Sequence, residues 1–185
     1  TKQLEQNKDI FVQVHEFEAG EITRAYEPYL TMICDGFRRY MTGTFEDFME
    51  ACDVYDLHRP VLLGYFNQDY AKREEIILLD EVAYEQERML AALERMLCAI
   101  ADRHPILLIL NRFQLAPKST MQLTARLLKI ENCNIGLVLG VSDIQAMPEF
   151  LVPDWEMLYE TLDDGSKIYH IGNSGRKKEE IADDG

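Results

Sequence analysis

The spacing of apolar positions changes several times along this chain, and each change marks an element. Residues 10–15, IFVQVH, alternate, which predicts a strand with Ile10, Val12 and Val14 on one face and Phe11 on the other. A polar, glycine-containing loop follows. Pro28 then sits where a first-turn proline suits a helix, and Tyr29, Leu30, Ile33, Cys34, Phe37, Tyr40 and Met41 recur at three- and four-residue steps until Gly43. Thr44, with Asp47 three residues on, is an N-cap for a helix whose stripe is Phe45, Phe48, Met49 and Cys52. A short apolar piece, PVLLGYF, comes next. Residues 69–103 form the longest helical stretch, either one helix or two that break around Asp80; its second part places Met89, Ala92, Leu93, Met96, Leu97 and Ile100 on one face.

Pro105 closes that stretch, and the period is then lost. Residues 106–110, ILLIL, are continuously apolar, as in a strand covered on both faces of a parallel sheet. Ser119 or Thr120 is expected to open the next helix, and residues 134–141, NIGLVLGV, repeat the buried-strand pattern. Residues 154–166, DWEMLYETLDDGS, read as an acidic loop with a turn at Asp163-Asp164-Gly165. KIYHIG reads as a last short strand before a charged tail. Strand, helices, strand, helix, strand is an α/β order: a parallel sheet core with flanking helices. The two continuously apolar strands are expected side by side in the sheet centre, joined by a right-handed helical crossover.

Composition narrows the functions open to such a fold. Of 185 residues, 47% are hydrophobic and 28% charged, which suits one globular domain with a real core. The net charge of −14 argues against nonspecific nucleic-acid binding and against anionic membrane surfaces. No apolar run approaches the ~20 residues that cross a bilayer, and no signal peptide is evident, so a cytoplasmic setting is expected. Cys34, Cys52 and Cys98 lie in apolar stretches, and Cys133 sits between two asparagines in an expected loop; none makes a C-x-x-C pair, which fits a reducing compartment. The chain starts at Thr1, as expected of a domain excised from something larger.

Catalytic and metal signatures are sparse. His15, His58, His104 and His170 are far apart, without metal-ligand spacing. No G-x-S-x-G elbow is present, and Ser119 and Ser174 have no activating partner nearby in sequence. Tyr26, Tyr29, Phe37, Tyr40, Phe45 and Phe48 are expected mostly in the core, with some of this aromatic surface, and Trp155, open to a neighbouring domain.

One string carries a resemblance. Arg103-His104-Pro105, the strand Ile106 to Leu110, then Asn111-Arg112-Phe113-Gln114-Leu115-Ala116-Pro117 and the helix start at Ser119-Thr120 resemble the centre of the AAA-related STAND signalling ATPases. In that family the strand ends in an Asp-Asp pair, followed by Leu-Gln/His-Trp-Ala-Asp and a Ser/Thr helix start. FVQVHEFEAGEITRAYEPYLTMI resembles the family's second strand and the Tyr-x-Pro helix start after it. NIGLVLGVSD resembles its sensor strand, with Val141-Ser142 at the terminal polar pair. The resemblance covers roughly residues 10–172. It implies a P-loop NTPase-like sheet, incomplete at the N-terminus, over residues 1–172, with 173–185 as a charged tail or the start of another segment.

The departures bear on chemistry. Hydrolysis on such a fold needs a glycine-rich phosphate loop with a lysine, a carboxylate for Mg²⁺ and a second acid that polarises the attacking water. No G-x-x-x-x-G-K-S/T occurs in this chain. Asn111 stands at the metal-ligand position and keeps an oxygen without the charge. Arg112 stands at the catalytic-acid position and stays protonated. With Gln114 and Ser142, these form the degenerate strand-tip and sensor positions that the resemblance marks for nucleotide contact. The implied function is a pseudo-ATPase: a non-catalytic or weakly nucleotide-binding regulatory or scaffolding module of a larger bacterial signalling protein. No cofactor is expected in this stretch, with ATP and Mg²⁺ left to the parent protein. Expected partners are neighbouring domains or other proteins, self-association included, and neither nucleic acid nor membrane. Two alternatives stay open: a nucleotide-dependent switch whose P-loop lies upstream, and an unrelated α/β enzyme with an unrecognised site.

Overall fold

A computed structural model describes residues 10–19, 24–68, 83–142 and 149–163. The first part of the long helical stretch (69–82), the KIYHIG strand and the tail lie outside these residues. Three strands, β1 (Phe11–Glu16), β2 (Ile106–Asn111) and β3 (Ile135–Leu139), form a parallel sheet in the order β1-β2-β3. The register pairs Phe11 with Ile106 and Glu16 with Asn111 across β1 and β2, and Leu110 with Leu139 across β2 and β3. The fold is thus α/β with a parallel sheet, and the two continuously apolar strands are neighbours.

Among the described strands β3 is the last of this order, and the KIYHIG segment expected as a further strand lies outside the described residues. The side chains of β3 are mostly half-buried, and Val138 is 48% exposed. The reason lies in the sheet's two faces. Phe11, Ile106, Leu108 and Leu110 point to one face and are buried. Val12 and Leu107, then Val14, Ile109 and Val138, share the opposite face by register. There Val14 is 58% exposed, and even Leu107 and Ile109 of the central strand stay half-buried. Parallel sheets are usually covered on both faces; among the described residues no helix covers the second face.

The buried face is covered by helices. α1 (Glu27–Tyr40) starts with Pro28 in its first turn, carries Arg38 and Arg39 in its last, and buries Tyr29, Leu30, Ile33 and Phe37. α2 (Phe45–Ala51) opens with a capping box: the Thr44 hydroxyl accepts from the Asp47 amide, and the Asp47 carboxylate accepts from the Thr44 amide. PVLLGYF belongs to a third helix, α3 (Arg59–Phe66). α4 (Ala83–Ala101) buries the expected stripe from Met89 to Ile100. It crosses α1 at Gly36, where a Cβ would lie 2.9 Å from Ile100 Cγ2 and 3.3 Å from Phe11 Cε1. α5 (Lys118–Leu128) is the crossover between β2 and β3, and its Thr124 hydroxyl is hydrogen-bonded to the buried Tyr29 hydroxyl of α1. Ser119 and Thr120, expected to open this helix, are buried in its first turn instead.

The stretch expected as an acidic loop is helical: α6 runs Val152–Asp163. Leu151, Trp155 and Leu158 are buried, and Leu162 packs against the core, a three- and four-residue spacing that lays one face on α5. Asp154 is buried at its start, accepting from Gln122 Nε2 at 3.3 Å, with Lys118 Nζ 3.5 Å away. Trp155 packs towards Phe113 rather than standing open to a neighbour. The expected aromatic core is present: Phe45 stacks on Phe66 at 4.1 Å, and Phe37 meets Phe45, Phe48 and Phe66.

Candidate functional site

All three strands run the same way, so their carboxyl ends share one edge, where open α/β sheets bind ligands. Three tips converge there. β1 ends at Glu16, directly opposite Asn111 at the end of β2. The chain beyond β1 is tied in by the Phe17 amide donating to the Asn111 carbonyl at 3.1 Å. β3 continues through Gly140, whose amide donates to the Leu110 carbonyl at 2.8 Å and whose carbonyl accepts from the Phe113 amide at 2.9 Å. These bonds extend the ladder past the last strand residues and fix the three tips against one another.

The turn after β2 is set by Arg112. Its φ of +53° and ψ of 41° are left-handed, a conformation that arginine adopts at a cost, and it swings the chain at once into a one-turn 3-10 helix, Phe113–Leu115. Phe113 turns into the core and is fully buried. Gln114 is buried too, at 1% exposure, and its Nε2 donates to Ser142 Oγ at 3.0 Å. Its Oε1 is buried with no hydrogen-bond partner among the described residues, an acceptor that a bound water or ligand donor would satisfy.

Asn111, Arg112, Gln114 and Ser142 therefore meet at one edge. Gln114 and Ser142 touch through a hydrogen bond, and Asn111 and Arg112 present an amide and a guanidinium at the tip of the central strand. Asn111 leans over Gly140: a Cβ there would lie 3.0 Å from Asn111 Oδ1. By register Asn111 belongs to the open face of the sheet, in line with Ile109 and Leu107.

The chemistry available is that of an amide, a guanidinium, a hydroxyl and one carboxylate. Asn111 offers one carbonyl oxygen, Arg112 a fixed cation, Ser142 a hydroxyl, and Glu16 the carboxylate of the neighbouring tip. Among the described residues no group of three or more His, Cys, Asp or Glu side chains is placed to hold a metal ion.

Glu16 and Gly140 were not singled out from the sequence. Glu16 ends a strand whose partner was unknown, and the need for a bare backbone at Gly140 arises only once β2 and β3 are in register. A second polar contact also escaped notice. His58, fully buried at the start of α3, has Nε2 3.1 Å from a Glu85 oxygen, a close polar contact. Burial holds the His58 pKa below the usual imidazole value, against the opposing pull of Glu85. A shallow depression of about 410 Å³ between α4, α5 and α6, lined by Gln86, Glu87, Gln122 and Arg126 among others, lies away from the strand tips. Of its two lining cations, Arg126 and Lys129, the first is already paired with Glu87 and Glu94.

No family model, curated protein or solved structure matches this chain. No helix among the described residues is long and apolar enough to cross a membrane.

Proposed function

We propose that this chain is a degenerate ATPase-like module of the STAND type, acting as a regulatory or scaffolding unit without turnover. The observation that carries the reading is the tip of β2. At the carboxyl edge of a parallel sheet, where a hydrolase of this design needs two acids, the chain presents Asn111 and Arg112. An amide is a weak Mg²⁺ ligand, and a guanidinium in a left-handed turn accepts no proton from water. The Gln114–Ser142 hydrogen bond joins the two loops behind these tips, which favours a fixed edge over one that rearranges around a nucleotide.

A second reading, a nucleotide-dependent switch whose phosphate loop is supplied from upstream, draws support from the open sheet face. Among the described residues, the helices that follow β1 and β2 on the way to β3 lie on one face, as right-handed crossovers in a single direction place them. A helix on the opposite face has to come from a crossover in the reverse direction, starting from a strand beyond β3. A strand–phosphate loop–helix unit docked there would cover Val12, Val14, Ile109 and Val138 and bring its loop beside Gly140 and Ser142.

Calorimetric titration of ATP with Mg²⁺, together with steady-state phosphate release, tests both. The module is expected to give no Mg²⁺-dependent heat and no release above background. Phosphate release that disappears in Asn111→Ala would overturn the proposal. Mg²⁺-dependent binding by the parent polypeptide, without turnover, would favour the switch.

A further inference from the structure

Two of the four cysteines, far apart in sequence, meet in the fold. Cys98 lies near the end of α4, and Cys133 lies in the loop that leads from α5 into β3. Their sulfurs are 2.7 Å apart, both side chains are half-buried, and both are free thiols. That separation is within ~0.7 Å of a bonded pair, so closure needs a small side-chain adjustment rather than backbone movement. Cys34 and Cys52, by contrast, are buried in the core.

We propose that Cys98 and Cys133 form a redox-active dithiol site whose co-substrate is a small-molecule disulfide of the glutathione class. Burial first, then the neighbouring Cys133 thiol and the Glu94 and Asp102 carboxylates, push the Cys98 pKa up to about 12. Cys98 is thus a poor first nucleophile. The Cys133 thiolate, on its loop, attacks one sulfur of the small disulfide; a Cys133 mixed disulfide forms and one small thiolate leaves. Cys98 then attacks Cys133 Sγ, the bond to the small thiol breaks, and the second small thiolate departs. The two protons lost by the cysteines end on the two small thiols, and the two electrons lost by the pair reduce the small disulfide.

The bond would close a loop that contains β2, Asn111, Arg112, Gln114 and all of α5, and it would pin the residue two positions before β3. Oxidation therefore bears on the strand that carries Gly140 and Ser142 to the candidate site. The inference stands on the thiol geometry alone and does not depend on any nucleotide-related reading.

The test equilibrates the whole chain with mixtures of oxidised and reduced glutathione, then quenches it in acid, alkylates it in denaturant and maps it by mass spectrometry. The count of alkylatable thiols is expected to fall from four to two, with one cross-linked peptide joining Cys98 to Cys133. Cys98→Ser and Cys133→Ser should each abolish the cross-link, and Cys34→Ser should leave it intact. The oxidised chain should melt at a higher temperature than the reduced one, and dithiothreitol should reverse the shift. Four thiols persisting in excess oxidised glutathione would overturn the proposal. So would glutathione adducts that do not resolve, or a bond that uses Cys34 or Cys52. If a serine variant fails to fold, the wild-type thiol count and peptide map still decide.

Discussion

Gly36→Ala sets two effects of opposite sign against each other. Gly36 lies inside α1, where alanine is the better helix former by about 1 kcal/mol, so on an open helix face the substitution would stabilise the chain. At this position the added methyl would lie 2.9 Å from Ile100 Cγ2, 3.1 Å from Ile100 Cδ1 and 3.3 Å from Phe11 Cε1. Ile100 is fully buried on α4 and Phe11 is buried on β1, so neither has free volume to retreat into. Overpacking of this kind costs roughly 1–3 kcal/mol, which exceeds the propensity gain and leaves a net loss of about 1 kcal/mol. For a chain of this size that is a fall of about 2–4 °C in melting temperature, readable by urea or thermal unfolding followed by circular dichroism. Ile100→Val removes the Cδ1 atom and makes the sharper test. It should cost about 1 kcal/mol alone and less in the Gly36→Ala background, with a coupling of roughly 0.5 kcal/mol or more. Gly36→Ala that stabilises the protein, or a strictly additive double variant, would show that α1 and α4 do not cross at this glycine.

Thr44→Ala removes half of the capping box and should cost about 1 kcal/mol, measured as a lowered urea midpoint with an unchanged m-value. Stability should fall as pH rises above about 9, since three groups stay protonated in the fold but ionise at ordinary values once unfolded. Burial pushes Cys52 up to about 11 and Cys98 up to about 12, and it raises buried Tyr29 further still. The sign follows because the unfolded chain releases these protons first, so alkali favours unfolding. Tyr29→Phe should flatten the part of the profile above pH ~10, and an unchanged profile would refute the assignment. Gly140→Val places a branched side chain against Asn111 and should lower the melting temperature by several degrees, about 1–3 kcal/mol. A neutral result would mean that the tips of β2 and β3 are not packed as described.

The sequence was most readable where one side of an element sees apolar surroundings and the pattern is local. The alternation of IFVQVH, the unbroken ILLIL and the stripe from Met89 to Ile100 all became the elements they suggested. The α6 helix was missed because Asp154, Glu156 and Glu160 drew attention to charge, while the stripe Leu151, Trp155, Leu158 and Leu162 reads clearly only against α5. At the candidate site, Asn111, Arg112, Gln114 and Ser142 lie near one another because β2 and β3 are neighbours, and in the sequence only the resemblance marks them. The opposition of Glu16 and Asn111, the bare backbone of Gly140 and the meeting of Cys98 with Cys133 are products of register and tertiary packing, which no local pattern encodes.

The open side of the sheet also governs how this molecule behaves in concentrated solution. Val12, Val14 and Val138 make a water-facing apolar plane on a polypeptide of net charge −14. Mutual repulsion between like-charged molecules is what opposes sticking through that plane. Raising the ionic strength shortens the reach of that repulsion from about 8 Å at physiological salt to about 3 Å at 1 M. Light scattering should therefore grow with added sodium chloride, and Val14→Lys should abolish the growth. Dilute buffer, rather than salt, is the condition that keeps this protein colloidally dispersed.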